Sequence, residues 1–287
     1  MALTLMYITN SLPVALIAQK YGVDRVWIDL ETLGKEERQK GRDSVKSHHT
    51  IEDIKVIKPF LNTSELLVRI NPWYEGSSHE IESVIDGGAD MIMLPYWKTL
   101  QEVRDFIKAV NHRCKTTLLL ETKEAVEIVD DVLENGEFDE IHIGLNDLHI
   151  SYGLDFMFEL LTNGVVETLC HKFSSYNVPY GFGGIAKIWD GAIPAEKIIM
   201  DHYRLGSTRA ILSRTFCDNA KIDSIEEIDR VFKINMKKIR DYEKSVLHMD
   251  DVLFLKNRND LKTDVASIRE VIRSHKAGGN DAQGINK

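Results

Sequence analysis

Residues 66–95 read LLVRINPWYEGSSHEIESVIDGGADMIMLP. The stretch opens on the apolar run Leu66–Ile70 and closes on a second, Met91–Pro95. Between them Ser77 followed by Glu80 has the spacing of a capping box that starts a helix. Both runs are nearly continuous in apolar residues, which suits parallel strands covered on both faces rather than strands with one wet side. The same rhythm extends outward in both directions. Further runs lie at Leu3–Ile8, Arg25–Leu30, Thr116–Leu120, Glu140–Gly144, the glycine-rich Tyr180–Gly184 and Arg209–Leu212, and Thr50 with Asp53 and Thr99 with Glu102 mark further helix starts. Eight βα units within roughly 215 residues predict a (β/α)8 TIM barrel in preference to an open doubly wound sheet.

Past Phe216 the rhythm changes. Ser224 with Glu227 starts a long amphipathic run to about Leu247, whose Ile225, Ile228, Val231, Phe232, Ile239, Tyr242 and Val246 share one stripe. A last helix, Asp260–Ser274, aligns Leu261, Val265, Ile268 and Ile272. A compact barrel has no need of it, so it is expected to pack on a neighbouring subunit. The predicted organisation is a barrel domain over residues 1–247, a helical extension over 248–276 and a disordered Gly- and Asn-rich tail over 277–287.

Composition narrows the function. With 36 Lys and Arg against 45 Asp and Glu the formal charge is −9, and 43% of the residues are apolar. A disordered chain lacks that apolar content, and a basic surface for nucleic acid or anionic lipid is missing. The three cysteines, Cys114, Cys170 and Cys217, form no CxxC pair, which argues against a disulfide framework or a structural zinc site. Met1–Gln19 has no basic n-region and is broken by Thr4, Thr9, Asn10 and Pro13, so it reads as a first strand and helix rather than a signal peptide. No run has the approximately 18 apolar residues that span a bilayer. The expectation is a cytoplasmic protein with small-molecule partners.

In a barrel the chemistry gathers where strands end. Here those positions carry Asp29 and Glu31, Arg69 and Asn71, Glu121 and Thr122, and Gly144-Leu-Asn-Asp147. Glu121 and Asp147 lie on consecutive strand ends. Two ionised carboxylates in one mouth are best reconciled by a cation between them, and an all-oxygen donor set selects a hard ion, Mg2+ or Mn2+. Alternatively each acid serves as an ordinary helix cap. Arg69 ends a buried run and requires an anion, either a bound carboxylate or enolate or its neighbours Asp29 and Glu31.

Five ordered motifs carry a resemblance. They are Gly22-Val-Asp-Arg-Val-Trp-Ile-Asp-Leu-Glu31, Leu67-Val-Arg-Ile-Asn71, Gly87-Gly-Ala-Asp-Met-Ile-Met-Leu-Pro95, Leu120-Glu-Thr122 and Ile143-Gly-Leu-Asn-Asp-Leu148. From about Tyr21 to Phe216 the chain resembles the metal-dependent class II pyruvate aldolases, typified by 4-hydroxy-2-oxoheptanedioate aldolase, together with the citrate lyase β-subunit. The resemblance implies a barrel of the phosphoenolpyruvate/pyruvate type and places the metal on Glu121 and Asp147. It implies that Arg69 contacts the carbonyl or enolate oxygen of the 2-oxo acid, and that the backbone N–H groups of Asn146 and Asp147 hold its carboxylate. It also implies a homo-oligomer, a trimer or hexamer. The chain departs from the pattern at Thr32, where aldolases of this kind carry a histidine base. His49, after His48 and before the helix at Thr50, is the substitute expected from the sequence, and a water on the metal is the other.

The expected reaction is cleavage or formation of the carbon–carbon bond between pyruvate and an aldehyde, possible sources of which include a sugar because the second loop is long and polar. Arg69 would stabilise the enolate oxygen, His49 or a metal-bound water would take the C4 hydroxyl proton, and Glu31 would orient the arginine. Rival readings are a citrate lyase-like enzyme acting on a CoA thioester, a Schiff-base aldolase using Lys98 or Lys187, and a non-catalytic barrel that binds a 2-oxo acid. His142 reads as a packed residue, Trp73 and Tyr74 as loop aromatics, and Arg209 with Arg214 as a phosphate site after the last strand.

Overall fold

A computed structural model of the chain describes residues 2–34, 48–219 and 221–281. Eight parallel strands close into a barrel in sequence order: β1 Thr4–Ile8, β2 Arg25–Asp29, β3 Glu65–Arg69, β4 Met91–Leu94, β5 Lys115–Leu120, β6 Glu140–Ile143, β7 Tyr180–Ile185 and β8 Arg209–Leu212. Each falls on one of the eight apolar runs. β8 pairs back onto β1 through Thr4 opposite Arg209 and Met6 opposite Ile211.

The two-residue period of a strand divides these runs into two cores. Tyr7, Val26, Ile28, Leu66, Val68, Ile92, Leu94, Leu118, Leu120, Ile141 and Ile143 join the main core with the surrounding helices. Met6, Trp27, Leu67, Met91, Met93 and Leu119 form a second cluster inside the barrel. The inward positions beyond that cluster are polar at both ends. At the strand starts they are Arg25, Glu65, Lys115, Glu140 and Arg209, and at the strand ends Asp29, Arg69 and Glu121.

The strand starts make a charged floor. Arg25 donates from Nη1 and Nη2 to both oxygens of Glu140 at 2.7 and 2.8 Å and from Nε to Glu65 at 2.8 Å. Arg209 donates to the same Glu140 at 2.7 Å. Arg209 is therefore a floor residue, remote from any phosphate at the mouth. Burial raises the pKa of Glu140, but the two guanidinium groups more than reverse this and hold it at about 2. Gly181 is the one residue of β7 that this floor cannot enlarge, because a Cβ there would stand 2.3 Å from the carbonyl oxygen of Arg209.

Two helix starts follow their capping boxes. Thr99 accepts from the N–H of Glu102, and Asp53 accepts from the N–H of Thr50. Ser77 differs: it already lies inside its helix, its hydroxyl accepts from the N–H of Tyr74, and Glu80 turns instead to Asn71.

The C-terminal region also departs from expectation. The helix Ile225–Val246 is followed by a second, Asp251–Asp281, which begins nine residues before the predicted start and runs past Ala277. Residues 282–287 of the predicted tail lie outside the described residues. Leu261 and Val265 of this last helix are buried in the chain's own main core. Asn257 donates to the carbonyl of Lys197 at 3.0 Å, and Lys197 pairs with Asp264 at 2.5 Å. The apolar stripe that suggested a neighbouring subunit thus covers the barrel from which it comes.

Candidate active site

The strand ends open into a cavity of about 750 Å3 whose lining includes Trp27, Asp29, His49, Arg69, Glu121, Gly144, Asn146 and Asp147. Tyr7, Thr9, Asn10, Ser11, Ser213, Arg214, Thr215 and Asn219, from the ends of the first and last strands and the segments after them, line it too. Arg69 sits at the end of β3, in register with Asp29 at the end of β2. Its Nε and Nη2 each donate to an Asp29 carboxylate oxygen at 2.8 Å, a two-pronged pair, and its Nη1 lies 3.2 Å from Glu31 Oε2. Trp27 stacks beneath, 5.2 Å from the guanidinium carbon. Burial disfavours the charge of Arg69, yet Asp29 and Glu31, with Glu121 farther off, raise its pKa above the ordinary value. Of the two sources of anion open for Arg69, the protein supplies Asp29 and Glu31.

The loop after β2 is pinned at its base. Asn71 Oδ1 accepts from the N–H groups of Thr32 and Leu33 at 2.8 and 2.9 Å and from the Thr32 hydroxyl at 3.3 Å. Thr32, where the resemblance places a histidine base, is thereby spent on loop structure. Residues 35–47 lie outside the described residues, and the chain returns at His48 and His49. His49 Nδ1 accepts from the Asp29 N–H at 2.9 Å. Asp29 thus supports Arg69 with its side chain, as one of the two sequence alternatives had it, and His49 with its backbone, which sequence reading missed. The signal was available in the parity of Trp27, Asp29 and Glu31, which points all three inward.

Glu121 is buried, and its Oε1 accepts from the N–H of Tyr96 at 3.0 Å, at a left-handed turn where Tyr96 has φ +53°. It does not cap the next helix. Thr122 does, accepting from the N–H of Ala125 at 3.0 Å. Asp147 lies in the first turn of the helix Leu145–Ser151, and that helix has no side-chain cap. Asp147 Oδ1 is buried and has no hydrogen-bond partner among the described residues. The cap reading of both acids therefore fails. Gly144 lies between them, and a Cβ on it would stand 2.9 Å from Glu121 Oε2 and 3.0 Å from Glu121 Cβ. Asn146 and Asp147 occupy the first turn of the helix, where backbone N–H groups have no intrahelical acceptor.

The sequence profile of the HpcH/HpaI aldolase/citrate lyase family matches residues 4–157. That span runs from β1 through the Glu121 and Asp147 strand ends. The chain belongs to the HpcH/HpaI aldolase/citrate lyase family. It is accordingly a carbon–carbon lyase. Solved structures agree on the fold. The HpcH/HpaI aldolase of Desulfitobacterium hafniense DCB-2 is 16% identical with a TM-score of 0.56, over 74% of this chain and 86% of that one. An HpcH/HpaI aldolase/citrate lyase family protein of Burkholderia cenocepacia J2315 is 14% identical with a TM-score of 0.58, over 79% and 95%. A citrate synthase variant, SbnG, is 15% identical with a TM-score of 0.53, over 84% and 95%. No curated protein matches the chain.

Of the remaining sequence candidates Arg214 lines the cavity, and the following do not. His142 is fully buried, with Nε2 3.3 Å from the carbonyl oxygen of Gly183, and burial lowers its pKa to about 4. Lys98 pairs with Glu124 at 3.7 Å on the surface. Tyr74 is exposed, and Trp73 packs on the main core. Among the described residues no helix is long and apolar enough to cross a membrane.

Proposed function

We propose that the chain makes or breaks the carbon–carbon bond between the enolate of pyruvate and an aldehyde, with Glu121 and Asp147 holding a divalent cation. The observation that carries this reading is the pair of caps that are not caps: Glu121 buried beside Gly144, and Asp147 with an orphaned buried oxygen. Among the described residues no three His, Cys, Asp or Glu cluster as a metal site. Mg2+ does not need three, since it is commonly held by one or two carboxylates with water and substrate completing the octahedron. Asp29, Glu31, Glu121, Asp147 and Asp218, when ionised, outnumber Arg69 and Arg214 by five charges to two, so a divalent cation also relieves the mouth electrostatically. When bound, such an ion supplies Lewis-acid stabilisation of negative charge on a 2-oxo acid.

The residues of the chain define the rest. Arg69, fixed by Asp29 and Glu31, keeps guanidinium N–H groups beyond those engaged by Asp29 with which to meet the enolate oxygen. Glu31 aligns the guanidinium from its far side. The orphan N–H groups of Asn146 and Asp147 suit the carboxylate of the 2-oxo acid. The polar lining residues Thr9, Asn10, Ser11, Ser213, Thr215 and Asn219 suit a hydroxylated, sugar-derived aldehyde. We further propose that the enzyme is cytoplasmic and works as a homo-oligomer, a trimer or hexamer.

The test needs no knowledge of the aldehyde. Purified protein with pyruvate in heavy water is expected to erase the methyl proton signal in Mg2+ and to leave it intact in EDTA. Absence of exchange in either condition overturns the pyruvate reading and favours a lyase acting on a CoA thioester. A second expected result concerns Gly144. In Gly144→Ala the backbone is tolerated, since φ is −81°, but the new methyl displaces Glu121. Exchange is expected to fall about 100-fold, as a misplacement of approximately 1 Å can do, at an overpacking cost of about 1–3 kcal/mol. Unchanged exchange would remove Glu121 from the site.

A further inference from the structure

We infer that the last helix, Asp251–Asp281, positions a wall of the active-site cavity and so decides which 2-oxo acids the site admits. The contact stands by itself, whereas the selectivity it confers rests on the pyruvate reading above. The wall is the segment after β6. It leaves the helix Leu145–Ser151, which carries Asn146 and Asp147, and reaches the cavity again at Met157 and Phe158. Glu159 shapes the turn between them: its buried carboxylate accepts from the N–H groups of Asp155 and Phe156 at 3.0 and 2.9 Å. Phe156 and Phe158 meet edge to face, with ring centres 5.3 Å apart.

Three basic residues of the last helix grip this segment from outside. Arg269, Arg273 and Lys276 are spaced i, i+4 and i+7, which puts them on one helix face. Arg273 Nε and Lys276 Nζ donate to separate oxygens of Asp155, each at 2.7 Å, and Arg269 Nη1 lies 3.8 Å from Glu159 Oε2. Ile268 packs on the main core, which Phe156, Met157 and Phe158 also join. Earlier in the same helix Asn257 and Asp264 hold Lys197, next to the cavity residue Ile198 of the helix Ala195–Arg204. From Asn257 to Lys276 is about 28 Å of helix. One rod therefore braces the segments after β6 and β7, which are neighbours around the barrel. The first of them also contributes the N–H groups proposed for the carboxylate of the 2-oxo acid, so a group carried on C3 of that acid is screened by a wall of the same segment. Exposed ion pairs add little to stability. Gathered on residues 152–158, which lie outside any strand or long helix, they fix position instead.

The charge of Asp155 can be reversed without altering a residue that lines the cavity. In Asp155→Lys the segment meets Arg273 and Lys276 with like charge, and the wall is expected to draw back. Heavy-water exchange with Mg2+ is then measured on pyruvate and on 2-oxobutyrate, which is longer by one methylene. The ratio of the two rates does not depend on how much of the protein is folded, so a loss of stability alone cannot move it. One methylene in a closely fitting apolar pocket is worth about 10- to 200-fold, so the preference for pyruvate is expected to fall at least about 10-fold in Asp155→Lys. Adding Arg273→Asp and Lys276→Asp restores opposite charges and is expected to return the ratio to near its wild-type value. Deuterium uptake by the backbone amides of residues 152–158 is expected to rise in the reversed protein and fall back in the swapped one. An unchanged ratio in Asp155→Lys overturns the inference. So does a changed ratio that the swap fails to restore, which would assign the effect to Asp155 without the helix. Unchanged uptake overturns the contact itself. A wild type that exchanges neither acid rejects the pyruvate reading instead, and the uptake comparison still decides the contact.

Discussion

Glu121→Gln is expected to abolish Mg2+-dependent exchange of the pyruvate methyl group, by about 1000-fold or more, while leaving the fold intact. Glutamine keeps an oxygen for the Tyr96 N–H, so the 3.0 Å bond at that left-handed turn can survive. What the substitution removes is a negative charge from a mouth where five carboxylates face two guanidinium groups. If Glu121 is only structural, losing that charge costs nothing and exchange continues. If it holds the cation, the variant forfeits several kcal/mol of charge stabilisation, which is the scale of a thousandfold rate loss. Thermal melting gives a readout independent of turnover. Ligand that binds only the folded state raises the melting temperature by mass action, so Mg2+ should stabilise wild type and fail to stabilise the variant. Full exchange in Glu121→Gln, or an equal Mg2+ effect on both proteins, would refute the assignment.

The barrel was legible in the sequence because its strands are buried on both faces, and such strands cannot be confused with the amphipathic helices between them. Parity within those strands carried more than the apolar runs alone revealed. Counting outward by two from Trp27 gives Arg25 and Asp29, and from Leu67 gives Glu65 and Arg69, so each strand announces one floor residue and one mouth residue. Glu121, two residues beyond Leu119, was readable at the mouth for that reason. Asp29 and Glu31 were readable as possible partners of Arg69, but choosing them over a bound anion depends on the register between β2 and β3, in which Asp29 and Arg69 stand opposite each other. His49 was readable as a candidate near the mouth. Its contact with the Asp29 N–H was not, since that amide lies twenty residues away. The last helix misled for another reason: an amphipathic stripe declares that something covers it, and only the tertiary structure shows that Leu261 and Val265 are covered by the chain's own core.

The floor of the barrel yields the largest expected effect on stability. Glu140 stands between Arg25 and Arg209 and is the acceptor for three of their donors. Glu140→Gln would leave two nearly buried guanidinium groups facing each other with only Glu65, also shared with Lys115, to offset them. Removing one partner of a buried ion cluster costs about 3–5 kcal/mol. For a barrel of this size that is approximately 10 °C in melting temperature. The pH dependence follows from the same contacts. The folded pKa of Glu140 lies at about 2, below its ordinary value of 4.5, so its stabilisation is complete above pH 4.5 and is lost as pH falls toward 2. That difference corresponds to about 3 kcal/mol. The gap in melting temperature between wild type and Glu140→Gln should therefore be constant from pH 7 to 5 and should narrow progressively toward pH 2. The exchange reaction of folded Glu140→Gln should survive, because the mouth and its carboxylates lie at the other end of the strands. A gap that stays constant through pH 3 would show that Glu140 is not the proton-linked element of the floor. Loss of exchange without loss of stability would show that floor and mouth are coupled in a way the strand register does not predict.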